Sequence, residues 1–230
     1  MSTPRFWSRD AVRVQADLKS LVWDGMTVLE VGCGEGYLST NLACLATAKF
    51  YLVEPDHVAL VEALRRLLHM GRTVVTCQCT LGQFLQYSGS RENIDLVVIS
   101  SVLQYIQGWN EQLQQLMDRC SQADFYLTNH FGWQTPLNRA IERTLAQLDW
   151  RWVRWRKGLP RAHAPSPVFW PSLSPDYFNI LFKSQGFTVH TYRYTTLLTD
   201  WGNRVHRLLQ RLRPSLGRSF TVIARRPSRG

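Results

Sequence analysis

With 230 residues, 45% of them hydrophobic, and no run near the roughly 20 uncharged apolar residues of a membrane span, the chain reads as one elaborated domain with a single full core. Its formal charge of +10 is unevenly placed: residues 1–129 hold 10 Lys and Arg against 13 Asp and Glu, whereas residues 130–230 hold 17 against 4. Five cysteines, with no C-x-x-C pair, speak against a disulfide framework and against a structural zinc site, so no metal is expected.

The N-terminal segment, residues 1–26, has no apolar stretch of signal-peptide length and carries an amphipathic helix over about Arg9–Leu21, which predicts a cytoplasmic protein. Residues 27–129 alternate strand and helix patterns. Thr27-Val28-Leu29-Glu30-Val31 is a short, mostly β-branched or apolar run that ends in glycines, as a buried strand does. A helix follows over Tyr37–Ala46, and Lys49-Phe50-Tyr51-Leu52-Val53-Glu54 is a second strand closed by Pro55. His57–Met70 has Val58, Val61, Leu64, Leu67 and Leu68 at helical spacing, and Thr73–Cys77 is a third strand. Cys77 and Cys79 lie two apart in that β-like run, which places them on one face as ordinary buried thiols. Ile94–Ile99 is a fourth strand, Trp109–Cys120 a helix and Asp124–Thr128 a fifth strand. Strands that alternate with helices form βαβ units, hence a mainly parallel sheet covered on both faces.

The rhythm stops at residues 130–174, an insertion with Trp133, Trp150, Trp152, Trp155 and Trp170 interleaved with Arg151, Arg154, Arg156, Lys157 and Arg161. It returns in residues 175–226 with a helix at Pro175–Ser184, a strand at Phe187–Tyr194, a basic helix at Asn203–Arg213 and a last strand at Ser219–Ala224. Residues 227–230 are a tail. The fold class is therefore α/β, with seven strands, helices on both faces and an inserted cap.

The glycine turn after the first strand decides between cofactors. A dinucleotide fingerprint, G-x-G-x-x-G, needs its third glycine at Tyr37, but the glycine falls one residue earlier, at Gly36. The run Val28-Leu29-Glu30-Val31-Gly32-Cys33-Gly34-Glu35-Gly36-Tyr37-Leu38-Ser39 resembles motif I of the class I S-adenosylmethionine (SAM)-dependent methyltransferases, with a Rossmann-like fold. That resemblance implies a turn, Gly32-Cys33-Gly34 with Gly36, wrapped around the methionine part of SAM. It also implies that Glu30 faces the cofactor's cationic amino end, directly or through water. Glu54, 20 residues after Gly34, ends the second strand where an acid accepts hydrogen bonds from ribose hydroxyls, and Val53-Glu54-Pro55-Asp56 resembles the family's motif II. Ile94-Asp95-Leu96-Val97-Val98-Ile99-Ser100-Ser101-Val102-Leu103-Gln104-Tyr105-Ile106 resembles the family's strand that ends beneath the transferring methyl group, which implies that Ser100 and Ser101 lie near the site. Many relatives place an acid after the third strand for the adenine amino group, and here Cys77-Gln78-Cys79-Thr80-Leu81-Gly82-Gln83 has none. Thr80, or a backbone group beside Leu81, is expected to substitute for it.

For the acceptor, His130 is expected directly after the fifth strand, outside the carboxyl ends of the strands, where a general base would stand. His163 is a second candidate. Pro171-Ser172-Leu173-Ser174-Pro175-Asp176-Tyr177-Phe178 through Gly186-Phe187, followed by Asn203-Arg204 and Val222-Ile223-Ala224-Arg225-Arg226-Pro227, loosely resembles type 11 methyltransferases, and the chain as a whole resembles types 11 and 12, which implies a small-molecule or lipid-linked acceptor methylated on oxygen or nitrogen. The basic half fits an anionic membrane surface, RNA or a phosphorylated substrate, with a solvated face without a partner as the lesser alternative. In the basic helix, Val205, Leu208, Leu209 and Leu212 share a face that either packs on the sheet or lies on a membrane. No N/D-P-P-Y-type motif follows the fourth strand, which counts against an RNA-modifying enzyme. A catalytically silent SAM-fold scaffold is the remaining alternative, and the intact glycines and Glu54 count against it.

Overall fold

A computed structural model of the chain describes residues 18–87, 93–130, 174–194 and 219–227, together with single helical positions at 144, 148, 152, 205 and 208. Seven strands form one sheet: β1 (Thr27–Val31), β2 (Lys49–Val53), β3 (Thr73–Cys77), β4 (Leu96–Ser100), β5 (Asp124–His130), β6 (Thr188–Tyr194) and β7 (Ser219–Arg225). Their spatial order is β3-β2-β1-β4-β5-β7-β6. The first five strands run parallel, and β7 is antiparallel to both β5 and β6. The helices are α1 (Tyr37–Leu45), α2 (His57–His69), α3 (Leu81–Tyr87), α4 (Trp109–Arg119) and α5 (Pro175–Ser184).

Alternation along the strands divides the core in two. Leu29, Val31, Tyr51, Val53, Val97, Ile99, Phe125 and Leu127 face one side, where Leu81 and Phe84 of α3, Trp109 and Leu113 of α4, and Phe178 and Phe182 of α5 cover them. Val28, Phe50, Leu52, Leu96, Val98 and Tyr126 face the other, under Leu42 and Ala43 of α1 and Leu60, Ala63 and Leu67 of α2. Burial on both faces explains why β1, β2 and β4 read as nearly continuous apolar runs. Helix starts follow capping chemistry. Asp56 accepts from the N–H groups of Val58 and Ala59 at the start of α2, and Ser174 accepts from Tyr177 N–H ahead of Pro175 in α5.

Several expectations change. The strand β5 continues to His130, so that residue ends the strand, in register with Ser219 of β7, instead of following it. Cys77 and Cys79 are half-buried, because β3 is the edge strand and Cys79 lies past its end. Helix α3 was not expected; Thr80 and Gln83 form its capping box, with Gln83 Oε1 accepting from Thr80 N–H at 2.9 Å and Thr80 Oγ1 accepting from Gln83 N–H at 3.3 Å. Of the N-terminal helix only its end, Leu18 and Lys19, falls within the described residues, with Leu18 and Leu21 buried under the sheet. Most of the Trp/Arg-rich insertion, most of the basic helix and the tail, including His163, lie outside the described residues. No helix among the described residues is long and apolar enough to cross a membrane.

Candidate functional site

The chain leaves β1 for β2 and β3 on one side, and the parallel strands β4 and β5 lie on the other, so the order switches between β1 and β4. Open α/β sheets hold ligands outside the carboxyl ends of the strands at such a point. Two loops meet there. Gly32, at φ 68°, follows β1, and a Cβ on it would clash with the side chain of Val102, in the loop after β4. Only glycine allows that approach.

The turn is built on three left-handed glycines, Gly32, Gly34 and Gly36, with φ values of 68°, 51° and 75°. Gly32 N–H donates to the carbonyl of Val53 at 2.7 Å, which ties the turn to the end of β2. Gly36 caps α1, and a Cβ there would lie 2.7 Å from Cβ of Ala63 on α2. Gly34 differs from both. A Cβ on it would meet no described atom within 4 Å, so its open side faces space that a ligand can take.

Glu54 forms the opposite wall. Its Oε2 accepts from Gly34 N–H at 2.9 Å and its Oε1 from Asp56 N–H at 3.0 Å. Each carboxylate oxygen keeps a lone pair for a further donor, such as a ribose hydroxyl. Pro55, which has no N–H, is exposed between Glu54 and Asp56. Cys33, the middle residue of the turn, packs against the α1/α2 core, and burial pushes its thiol well up, so it is an inert packing group here.

Glu30 lies beneath the turn, 2% exposed, and its carboxylate accepts from the hydroxyl of Ser39, itself fully buried on α1. Burial raises its pKa from 4.5 to about 7; the Ser39 hydrogen bond opposes the shift and the nearby Glu54 adds to it. A cationic ligand group is what would draw the ionised form out. On the far side of the switch point, Ser100 ends β4 and Ser101 takes φ 55°, the one non-glycine with positive φ among the described residues. Strained backbone of this kind gathers at functional sites.

These elements bring Glu30, Gly32, Cys33, Gly34, Gly36, Glu54, Pro55, Ser100 and Ser101 to one end of the sheet. Thr80 is exposed, with its hydroxyl engaged in the α3 cap, and the side chain of Leu81 is in the core. His130 holds a strand position two residues beyond Thr128, the register partner of Ser100, so it stands at the carboxyl end of the sheet. Sequence reasoning missed Val102 and Ala63, the two side chains that force glycine into the turn. No local pattern marks such partners, since they lie 70 and 27 residues away.

The residues fit SAM: a glycine left open toward solvent, a carboxylate already oriented by two N–H groups, and a buried acid of near-neutral pKa for a cation. Residues 29–123 match the family model described as a methyltransferase domain. The SAM-dependent methyltransferase of Aquifex aeolicus superposes with a TM-score of 0.53 at 14% identity, over 94% of this chain and 88% of that one. The YcgJ protein of Bacillus subtilis does so at 0.58 and 12%, over 95% and 100%. The plantazolicin methyltransferase BamL, solved with a triazolic desmethylPZN analog and SAH, gives 0.57 and 13%, over 94% and 86%. Among curated proteins, the peramine synthetase ppzA of Metarhizium rileyi (strain RCEF 4871) is 32% identical over 94 residues, 40% of this chain. The chain spans only 3% of that protein's length. Over residues 29–123 the chain thus matches a methyltransferase domain, set in a fold shared with SAM-dependent methyltransferases.

Proposed function

We propose that this protein transfers the methyl group of SAM to an oxygen or nitrogen of a small or lipid-linked molecule. The observation that supports this most is the pairing of Gly34 N–H with the Glu54 carboxylate across an otherwise open glycine turn. Bound there, SAM supplies an electrophilic methyl on a sulfonium centre. The chain's own work is binding and orientation. Glu54 takes the ribose hydroxyls, Gly32, Cys33, Gly34 and Gly36 pass their backbone along the methionine part, and ionised Glu30 balances its cationic end. The Ser100–Ser101 end of β4 then faces the acceptor, which must be held about 3 to 3.5 Å from the methyl carbon with water excluded. His130, at the end of β5, is the candidate base for a hydroxyl acceptor; Thr80 and the backbone at Leu81 border the adenine side.

A small acceptor is favoured by the absence of an amino-methylation motif in Ser100-Ser101-Val102-Leu103. The plantazolicin methyltransferase among the structural neighbours acts in the same direction, although an rRNA methylase from Streptococcus thermophilus shares the fold at a TM-score of 0.50. Incubation of the chain with methyl-labelled SAM and fractionated cell extract tests the proposal. Label in small molecules or lipid is expected. Label confined to RNA replaces the acceptor class, and SAM binding with no label in any fraction leaves the silent scaffold.

A further inference from the structure

The glycine turn is gripped from outside by α2, through a side chain that lies outside the glycine motif. We propose that Arg66 of α2 is a positioning residue for the cofactor turn, holding Glu35 and Tyr37 so that Gly34 stays in hydrogen-bonding register with Glu54. This rests on the reading of that turn as the SAM site.

The geometry is specific. The Arg66 guanidinium lies over the Tyr37 ring, 4.3 Å from its centroid, and Nη2 donates to the Tyr37 hydroxyl at 3.3 Å. The same nitrogen is 3.9 Å from the Glu35 carboxylate, inside the turn. Nε is 2.9 Å from Glu62, one helical turn back, which aims the guanidinium toward the turn. Its neighbour Arg65 shows the contrast: among the described residues it pairs with Glu62, and its side chain is 68% exposed against 27% for Arg66.

One helix therefore contacts both walls of the site. Through its N-cap Asp56, whose N–H reaches Glu54 Oε1, α2 orients the ribose-side carboxylate. Through Ala63 and Arg66 it meets the turn at Gly36, Tyr37 and Glu35. A half-exposed ion pair adds little to folding. A cation stacked on a ring and bonded to its hydroxyl instead restricts where the turn sits, and a preorganised turn binds more tightly because less ordering is left for the ligand to impose.

Amide hydrogen exchange on the ligand-free full chain, beside calorimetry with SAM, tests this in Arg66→Ala, Arg66→Lys, Tyr37→Leu and the double variant Arg66→Ala/Tyr37→Leu. Arg66→Ala and Tyr37→Leu should each speed exchange at Gly34, Gly36 and Thr40 while the unfolding midpoint stays near that of the parent. Each should weaken SAM binding about tenfold, the double variant should be no worse than either, and Arg66→Lys should recover part of the loss. Unchanged exchange at the turn in Arg66→Ala overturns the proposal. Effects of the two single changes that add in full, or faster exchange spread over the whole domain, do the same. Exchange is read without ligand, so a parent chain that fails to bind SAM defeats the cofactor reading and leaves the positioning result standing.

Discussion

Glu30 is an acid placed where an acid is expensive, in the middle of the sheet, in register with Leu52 and Val98. Its pKa, raised to about 7 chiefly by burial, makes the folded chain hold a proton that the unfolded chain releases near 4.5. Between those values the native state binds more protons, so this group's contribution lowers stability as pH rises from 4.5 through 7 and levels off above. A bound cation favours the ionised form, so SAM affinity should climb through the same region, with a proton released on binding near pH 7. Glu30→Gln should flatten both trends. Calorimetry in two buffers of different ionisation enthalpy reads the proton directly, and identical heats in both would remove Glu30 from the cationic end of the site.

At the scale of elements, the glycines of one turn serve different ends, and substitution separates them. Gly36→Ala places a methyl 2.8 Å from the backbone of Ala63 at a left-handed φ, so it should cost about 3 kcal/mol of stability, read by denaturant unfolding. Gly34→Ala has the strained φ but no clash, so it should cost about 1 kcal/mol and yet weaken SAM more than about tenfold. Equal stability losses would contradict that division. The strand β5 carries a further test: His130→Ala should lower kcat about 10²-fold on a hydroxyl acceptor with SAM affinity unchanged, and parent-like turnover would exclude a general-base role. Most of these elements were legible in the sequence, because β1, β2 and β4 are apolar on both faces and α5 announces itself by Ser174-Pro175. Thr80-x-x-Gln83 was a readable start for α3, obscured by the preceding run of β-like residues. Contacts between distant segments, such as Arg66 on Tyr37 or Val102 against Gly32, leave no trace in local spacing and need the folded chain.

The whole molecule joins a near-neutral cofactor half to a strongly basic remainder, residues 130–230, with 17 Lys and Arg against 4 Asp and Glu. In the expected basic helix, Arg204, Arg207 and Arg211 lie outside the described residues, and Leu208 is helical and 59% exposed. Neutralising the three arginines together should weaken binding to anionic vesicles by about 1 kcal/mol per charge at low salt, with SAM binding intact. Filter binding with bulk RNA, run in parallel, is expected to show no such loss; a salt-steep RNA affinity that falls in the triple variant would reassign the surface.

Calorimetric titration of the full chain with SAM, repeated on Glu54→Ala, is the most direct test of the cofactor site. Binding of one SAM per chain is predicted, weakened by about 1.5 to 3 kcal/mol when the carboxylate that faces Gly34 is removed. An absence of heat at millimolar SAM, or an affinity unmoved by Glu54→Ala, would contradict it.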